Sequence, residues 1–304
     1  MPKSTRVRSR RVRALSLAAL LVLGWLGSSI VVAERLTRHT GAPAGAAPSV
    51  DFARTEDLTL VARDGAQVPG WAFDVDGARG TVVLLHPNGG SAASMLGAAR
   101  LWAELRYASL AVTLRGHGAA EGARNDVGWS ARLDVVAAVE WAASRRAGPV
   151  LVHGVSLGAA AACLAATEHS PEARARILGH VLEAPYVDLG AAVRARTTHE
   201  LPWPLGQVAA TGLGLTAWLF IGDVERIAPY RSAPALAGQV LLLSGLRDTR
   251  APAVETRRFV DALGERAQLL ERDLDHTGWL AAAPGGWLRE DLARWLEDLA
   301  AAAD

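Results

Sequence analysis

A serine in the middle of the sequence stands where it could act as a nucleophile. Ser156 is the central residue of the G-V-S-L-G run 154–158, which follows the apolar run 149–153 and precedes the apolar run 159–166. Where a strand turns abruptly into a helix at a G-x-S-x-G sequence, the serine is held in a strained conformation with its hydroxyl exposed. The pattern predicts such a nucleophile elbow at Ser156. The alternative is an ordinary strand-to-helix turn in a chain with 30 glycines.

A serine hydroxyl needs a base to take its proton and an acid to orient that base. With this kind of elbow, the acid and the histidine follow the serine in that order. Asp248 comes soon after the apolar run 239–243, and His276 soon after the run 268–272. Both would lie at the C-terminal ends of strands, where catalytic groups collect in parallel sheets. We predict Ser156 as nucleophile, Asp248 as acid and His276 as general base, with Glu183 as the reserve candidate for the acid.

The negative charge that develops on a substrate oxygen needs backbone N–H donors. The N–H of Leu157, directly after the serine, is one expected donor. The second is expected from the loop 86–90, and Asn88 is chosen because Pro87 has no N–H. His86 is expected to support this loop. The other histidines show no pairing at ligand spacing, so the sequence predicts no metal site and no cofactor.

The elements that must position these groups alternate between short strands and helices. This alternation predicts an α/β fold, with a mostly parallel central sheet and helices on both faces. Strands are predicted at 58–62 and 68–73, as a hairpin, and at 81–85, 110–114, 149–153, 180–185, 239–243 and 268–272. Helices are predicted at 92–105, 128–144, 254–263 and 287–299, and directly after the elbow.

Five short motifs occur in order along the chain: H-P-N-G-G at 86–90, R-G-H-G at 115–118, G-V-S-L-G at 154–158, G-L-R-D-T-R-A-P at 245–252 and H-T-G at 276–278. Together they resemble the α/β-hydrolase superfamily, in particular its bacterial serine-aminopeptidase-like and esterase-like group. The resemblance covers about residues 57–300. It implies the α/β-hydrolase fold and a catalytic triad of Ser156, Asp248 and His276. Two positions depart from the pattern: Thr113 replaces an Asp, and Pro87 replaces a Gly.

The N-terminus predicts a membrane anchor. Residues 1–13 are basic and lack acids, and Ala14–Ala33 is an uncharged apolar run, as long as a helix needs to cross ~30 Å of hydrocarbon. The excess of arginine before the run predicts a cytoplasmic tail at 1–13, a transmembrane signal anchor at 14–33 and a catalytic domain outside the cytoplasm. The alternative is a signal peptide cleaved near Ala33, with secretion of the rest.

Residues 34–56 have the composition of a linker, which would leave a hydrolase domain at 57–304. Within that domain, the region of about 187–226 breaks the alternation of strands and helices. Its part Leu201–Ile221 is uncharged and contains Trp203 and Trp218. Three interpretations are open: a small helical cap over the active site, which we favour, a helical excursion that only packs on the core, or membrane contact.

Composition limits the classes of function. Beyond residue 33 the chain holds 26 basic and 31 acidic residues, which argues against nucleic-acid binding. The single cysteine, Cys163, excludes an internal disulfide and a thiolate metal cluster. One lysine among 32 basic residues is typical of a GC-rich bacterial genome.

The combined features predict a serine hydrolase that acts on a carboxylic ester or related small acyl substrate through an acyl-enzyme. The apolar, tryptophan-bearing insertion suggests an apolar acyl group. An aminopeptidase-like serine peptidase or a thioesterase could use the same triad. A further alternative, from another class, is a non-catalytic binding module with the same fold.

Overall fold

Eight strands form one central sheet in this computed structural model, which describes residues 3–120, 124–276, 278–279 and 286–301. Their order in the sheet is β1-β2-β4-β3-β5-β6-β7-β8. β1 pairs with β2, and β2 with β4, in antiparallel fashion; the other neighbours are parallel. The strands are Arg54–Val61 (β1), Gln67–Asp74 (β2), Thr81–Leu85 (β3), Ala108–Val112 (β4), Val150–Val155 (β5), Ile177–Glu183 (β6), Gln239–Gly245 (β7) and Ala267–Arg272 (β8).

Helices cover both faces of this sheet, and a long helix precedes it. The α-helices of the described residues are Lys3–Leu36 (α1), Leu96–Glu104 (α2), Arg132–Arg145 (α3), Leu157–Ala165 (α4), Pro171–Arg176 (α5), Leu189–Glu200 (α6), Leu205–Ile221 (α7), Pro229–Ser232 (α8), Ala253–Leu263 (α9) and Gly286–Ala301 (α10).

The central strands are apolar throughout because both faces are covered. In β3, Val83 and Leu85 belong to a buried cluster with residues of α3, α4 and α9. Val82 and Leu84, which point the other way, belong to a second cluster with residues of α2 and α10. The mostly parallel sheet with helices on both faces, predicted from the sequence, is therefore confirmed.

Some element boundaries differ from the prediction. β4 begins at Ala108 rather than at 110, because its N–H already donates to the carbonyl of Gly80 beside β3 (3.1 Å). Helix α3 begins at Arg132 rather than at 128, since the preceding turn is held by Asp126, which accepts a bond from the Ser130 N–H (3.0 Å). The short helix α5 was not predicted; Ser170 caps its N-terminus.

The region 187–226 folds mainly as the two helices α6 and α7, joined by the corner 201–204. Asp188 caps α6 by accepting a bond from the Ala191 N–H (2.7 Å). The C-terminal end of α7 is fixed to the core, since Ile221 lies in a small buried cluster with Ala160 of α4. The outer side of α7 is apolar and exposed.

The N-terminal helix α1 packs on α7 and is otherwise largely exposed. Its part Val12–Leu36 is long and apolar enough to cross a membrane, and little of it is buried. Near its C-terminal end α1 packs on α7, where Trp25 Nε1 donates to the Val208 carbonyl (3.2 Å).

The segment after α1, predicted as a linker, lies along the domain. The Thr40 N–H donates to the Gly116 carbonyl (2.9 Å), and Trp71 Nε1 donates to the Gly45 carbonyl (3.3 Å). These bonds hold the segment in one path over the surface, although its composition is that of a flexible chain.

Two buried histidines and a half-buried one predict that the folded state loses stability in mild acid. Burial lowers the pKa of His86 and His180 to about 3, and that of His169 to about 4, from the ordinary value of 6.5. The unfolded chain binds these protons below pH 6.5 and the folded chain does not. Stability is therefore complete above pH 6.5 and falls as pH decreases towards 4, by ~1.4 kcal/mol per histidine and pH unit.

The thermal midpoint should accordingly be lower at pH 5 than at pH 7.5. In His180→Asn, which removes one of the three groups, the midpoint should depend less steeply on pH over the same range. Equal slopes for the two proteins would show that His180 does not contribute in this way.

Candidate active site

Ser156 occupies the tight turn between β5 and α4. Its backbone has φ 51° and ψ −106°, a conformation that residues with side chains rarely adopt. A Cβ at Gly154 would lie 2.6 Å from the Ala159 nitrogen, and one at Gly158 would overlap the Leu85 carbonyl oxygen. Both glycines are therefore required by the close approach of the backbones around the serine.

Ser156, His276 and Asp248 are connected by a chain of two hydrogen bonds. His276 Nε2 lies 3.0 Å from Ser156 Oγ, and His276 Nδ1 lies 2.8 Å from Asp248 Oδ2. The Asp248 side chain is fully buried, whereas His276 is 15% exposed. A carboxylate that accepts the Nδ1–H leaves the Nε2 lone pair directed at the serine hydroxyl. His276 can therefore remove the proton of Ser156 as the serine oxygen attacks.

The carboxylate of Asp248 is held in place by its own loop. Its Oδ1 accepts bonds from the backbone N–H groups of Arg250 (2.8 Å) and Ala251 (2.9 Å). This leaves Oδ2 for His276. Both oxygens of the carboxylate therefore accept hydrogen bonds, which fixes its orientation towards His276.

The parallel sheet brings the three loops together. Gly154 lies beside Leu85 in the register, and Gly245 lies beside Arg272, so the chain leaves these strands at the same edge. The loop of the acid and the loop of the histidine are also joined directly, since the Arg247 N–H donates to the Leu274 carbonyl (3.0 Å). Of the H-T-G motif, Thr277 lies outside the described residues.

Glu183, the reserve candidate for the acid, is bound by a different histidine. Its Oε1 lies 2.7 Å from His153 Nε2, and Trp102 Nε1 donates to His153 Nδ1 (3.0 Å). Since the indole can only donate, the His153 Nδ1 must accept, and its Nε2–H must donate to the carboxylate. The geometry therefore favours Asp248 over Glu183 as the acid. The sequence held no signal for this pair, because each residue alone resembles an ordinary core position.

The loop 86–90 follows β3 beside the elbow, as the expected second oxyanion donor requires. His86 supports the loop from below: its Nδ1 donates to the Pro87 carbonyl (2.8 Å), and its Nε2 accepts from the Leu114 N–H (3.0 Å). Burial lowers the pKa of His86 to about 3, so the ring is neutral and can fill both roles. Leu157 is the first residue of α4, where N–H groups have no acceptor within the helix.

Asn88 is exposed at the tip of this loop. Its side chain is hydrogen-bonded to residues of the neighbouring segment 117–125. Asn125 Nδ2 donates to Asn88 Oδ1 (2.6 Å), and His117 Nε2 lies 3.1 Å from the same oxygen. Thr113, one of the departures from the family pattern, accepts a bond from the Ala92 N–H just after the loop (3.0 Å). Sequence reasoning missed Asn125, which belongs to no motif.

The contact between Asn125 and Asn88 predicts a moderate loss of activity in Asn125→Asp. The carboxylate keeps the shape and can still accept from the Val127 N–H, but it cannot donate to Asn88 and repels its oxygen. Misplacement of the loop 86–90, the expected source of the second oxyanion donor, should lower kcat by roughly ten- to a hundredfold. Steady-state kinetics test this, with the thermal midpoint as a check on the fold. A wild-type kcat in the variant would show that the contact has no part in positioning the loop.

Comparison with known proteins places the chain in a family. Residues 76–240 match the model of the family described as "Serine aminopeptidase, S33". This match covers more than half of the chain. The chain belongs to this family of α/β-hydrolases. No match was found among curated protein sequences.

Solved structures of esterases resemble this chain over most of their length. An esterase from Pyrococcus furiosus is 21% identical with a TM-score of 0.68, covering 86% of this chain and 98% of that one. An esterase from Pyrobaculum calidifontis is 18% identical with a TM-score of 0.61, covering 94% and 93%. One from Exiguobacterium antarcticum is 14% identical with a TM-score of 0.58, covering 80% and 100%. The predicted α/β-hydrolase fold is thereby confirmed.

Proposed function

We propose that the protein is a serine esterase with Ser156 as nucleophile, His276 as general base and Asp248 as the acid that orients it. The observation that carries this proposal is the chain of hydrogen bonds from Asp248 through His276 to Ser156. Ser156 itself lies in a strained strand-to-helix turn. Backbone strain of this kind persists only where the surrounding structure stabilises it, and it is concentrated at active sites.

The reaction follows from these positions. As Ser156 Oγ attacks the ester carbonyl, its proton passes to His276 Nε2, and the resulting imidazolium faces the Asp248 carboxylate. The backbone N–H groups of Leu157 and Asn88 stabilise the oxyanion. His276 then gives the proton to the departing alcohol, which leaves an acyl-enzyme. Water, activated by the same histidine, releases the acid and restores the serine.

An ester is favoured over a peptide because two carboxylates at the catalytic edge are already bound by histidines. An aminopeptidase needs a negative charge for the amino terminus of its substrate. Asp248 and Glu183, which the strand ends bring to this edge, are already bound by His276 and His153. The solved structures reported above are esterases, whereas the family description names an aminopeptidase. An aminopeptidase is therefore the second candidate.

Direct assay separates the two candidates. The purified full chain should hydrolyse p-nitrophenyl butyrate with a far higher kcat/KM than it shows towards aminoacyl p-nitroanilides, and an initial burst of nitrophenol should report the acyl-enzyme. Preference for the anilide with a free amino group would favour the aminopeptidase. Hydrolysis of neither by the wild-type chain would contradict a hydrolase of this kind.

We further propose the topology that the N-terminus indicates: a cytoplasmic tail at 1–13, a membrane span at 14–33, a connecting segment at 34–56 and an extracytoplasmic hydrolase domain at 57–304 with its insertion at 187–226. The packing of α1 on α7 favours an uncleaved anchor over a removed signal peptide, because a cleaved segment has no need of a complementary surface on the mature domain. The intact mass of the membrane-extracted protein tests this. A mature chain that begins after Ala33 would contradict the anchor.

A further inference from the structure

The contact between α1 and α7 is close and specific. A Cβ at Gly212 of α7 would lie 2.9 Å from Trp25 Nε1 and would overlap Ser29 Oγ. Ser29 is only 6% exposed, and Trp25 Nε1 donates to the Val208 carbonyl (3.2 Å). The small residue on α7 thus allows the two helix backbones to approach each other.

This contact sets the depth of α7 in a membrane. With the span at 14–33, Ser29 and Trp25 lie roughly 6 Å and 12 Å below its outer end, since a helix rises about 1.5 Å per residue. Both residues are therefore inside the hydrocarbon. The stretch of α7 that touches them, Val208 to Gly212, must lie at the same depth.

The composition and exposure of α7 suit that position. No charged residue occurs in 201–221, and a helix satisfies its own backbone groups in the absence of water. The outward side chains are large and apolar: Leu215 is 54% exposed and Trp218 is 60% exposed. Trp218 lies nearer the outer end of the span than Gly212 does, and tryptophans are enriched where a membrane meets water.

The embedded surface adjoins the catalytic edge. Thr37, next after α1, accepts a bond through its carbonyl from the Asn125 N–H (3.1 Å), and Asn125 Nδ2 donates to Asn88 Oδ1 of the oxyanion loop (2.6 Å). Two hydrogen bonds therefore connect the end of the membrane helix with the site. On the α7 side, the Phe220 ring lies 5.0 Å from the guanidinium carbon of Arg124, in the same segment as Asn125.

We propose that α7 is embedded in the membrane beside α1, and that the substrate is a long-chain ester resident in the outer leaflet, which enters the site laterally. The substrate half of this proposal rests on the proposed esterase function; the embedding does not. The occupant of the exposed face of α7 is the lipid bilayer itself. The surface is continuous with that of the membrane helix, and its apolar, uncharged character matches acyl chains.

The embedding is tested without catalysis. Cys163 is buried and is the only cysteine, so a cysteine placed at Leu215 can be labelled selectively with a nitroxide. In phosphatidylcholine vesicles that hold the full chain, with a water-soluble nickel chelate on both sides, the label at Leu215→Cys should be accessible to oxygen and protected from the chelate. A matched label at Val61→Cys, on an exposed residue of β1, should show the reverse. Equal chelate access at both positions would overturn the embedding.

Lateral entry is tested with two substrates. The full chain and Trp218→Gln are compared on a long-chain ester dissolved in vesicles and on soluble p-nitrophenyl butyrate. The variant should lose at least roughly tenfold in turnover of the vesicle ester, because a large apolar side chain no longer inserts, and should keep its rate on the soluble ester. Val61→Gln should alter neither rate.

The outcomes separate the two proposals. An unchanged rate on the vesicle ester, or an equal loss on both esters, would overturn lateral entry. If the wild-type chain hydrolyses neither ester, the esterase function fails and lateral entry fails with it, while the nitroxide result still decides the position of α7.

Discussion

Ser156→Ala should lower kcat for ester hydrolysis by roughly 10⁶-fold, the scale found when a triad serine is removed elsewhere. The reason is that Ser156 Oγ is the hydroxyl that lies 3.0 Å from His276 Nε2. Substrate binding should change little, because the hydroxyl contributes mainly to the transition state. The thermal midpoint should stay close to that of the wild type, since alanine removes one half-buried oxygen.

The control for this variant is Ser244→Ala. Ser244 lies on β7 and is fully buried, and its hydroxyl has no hydrogen-bond partner among the described residues. The same change of side chain there should leave kcat within about a factor of a few, as expected for a residue outside the chemistry. A similar loss in both variants would mean that the effect of Ser156→Ala comes from the fold.

Asp248→Asn should lower kcat by roughly 10⁴-fold with the fold intact, as the equivalent change does in a serine protease. The amide oxygen can still accept from the N–H groups of Arg250 and Ala251, so the loop keeps its shape. The amide nitrogen then faces His276 Nδ1 and donates to it. This favours the tautomer with its proton on Nε2, which cannot take the proton of the serine.

Glu183→Gln is the matched comparison for Asp248→Asn. Glu183 is also a buried carboxylate at a strand end and is bound by a histidine, His153. The amide introduced in Glu183→Gln should lower the stability of the fold more than it lowers kcat, because His153 lies on β5 within the core. If Glu183→Gln lowered kcat more than Asp248→Asn, the roles of the two carboxylates would have to be exchanged.

The sequence was most informative where one local constraint dominates. β3 is a continuous apolar run because both of its faces are covered, and this is visible without a structure. Gly154 and Gly158 mark the elbow because no side chain fits there. Asp248 and His276 could be chosen because polar residues that follow such runs must lie at one edge of a parallel sheet.

The sequence was least informative where contacts join distant segments. The bond between Asn125 and Asn88 spans 37 positions and depends on how two loops meet at the sheet edge. The segment after α1 has the composition of a free linker, and only the groups facing it, such as the Gly116 carbonyl, fix its path. The approach of α1 to α7 depends on Gly212, one of many glycines in the chain, and no periodicity distinguishes it.

The central claim is that Ser156 is an activated nucleophile, and labelling with a fluorophosphonate probe tests it most directly. The phosphonate should bond to Ser156 Oγ of the full chain with loss of fluoride, and peptide mass mapping should place the adduct on the peptide that contains Ser156. Labelling should be absent from Ser156→Ala and strongly reduced in His276→Ala. An unlabelled wild-type chain, or an adduct that persists in Ser156→Ala, would contradict the account.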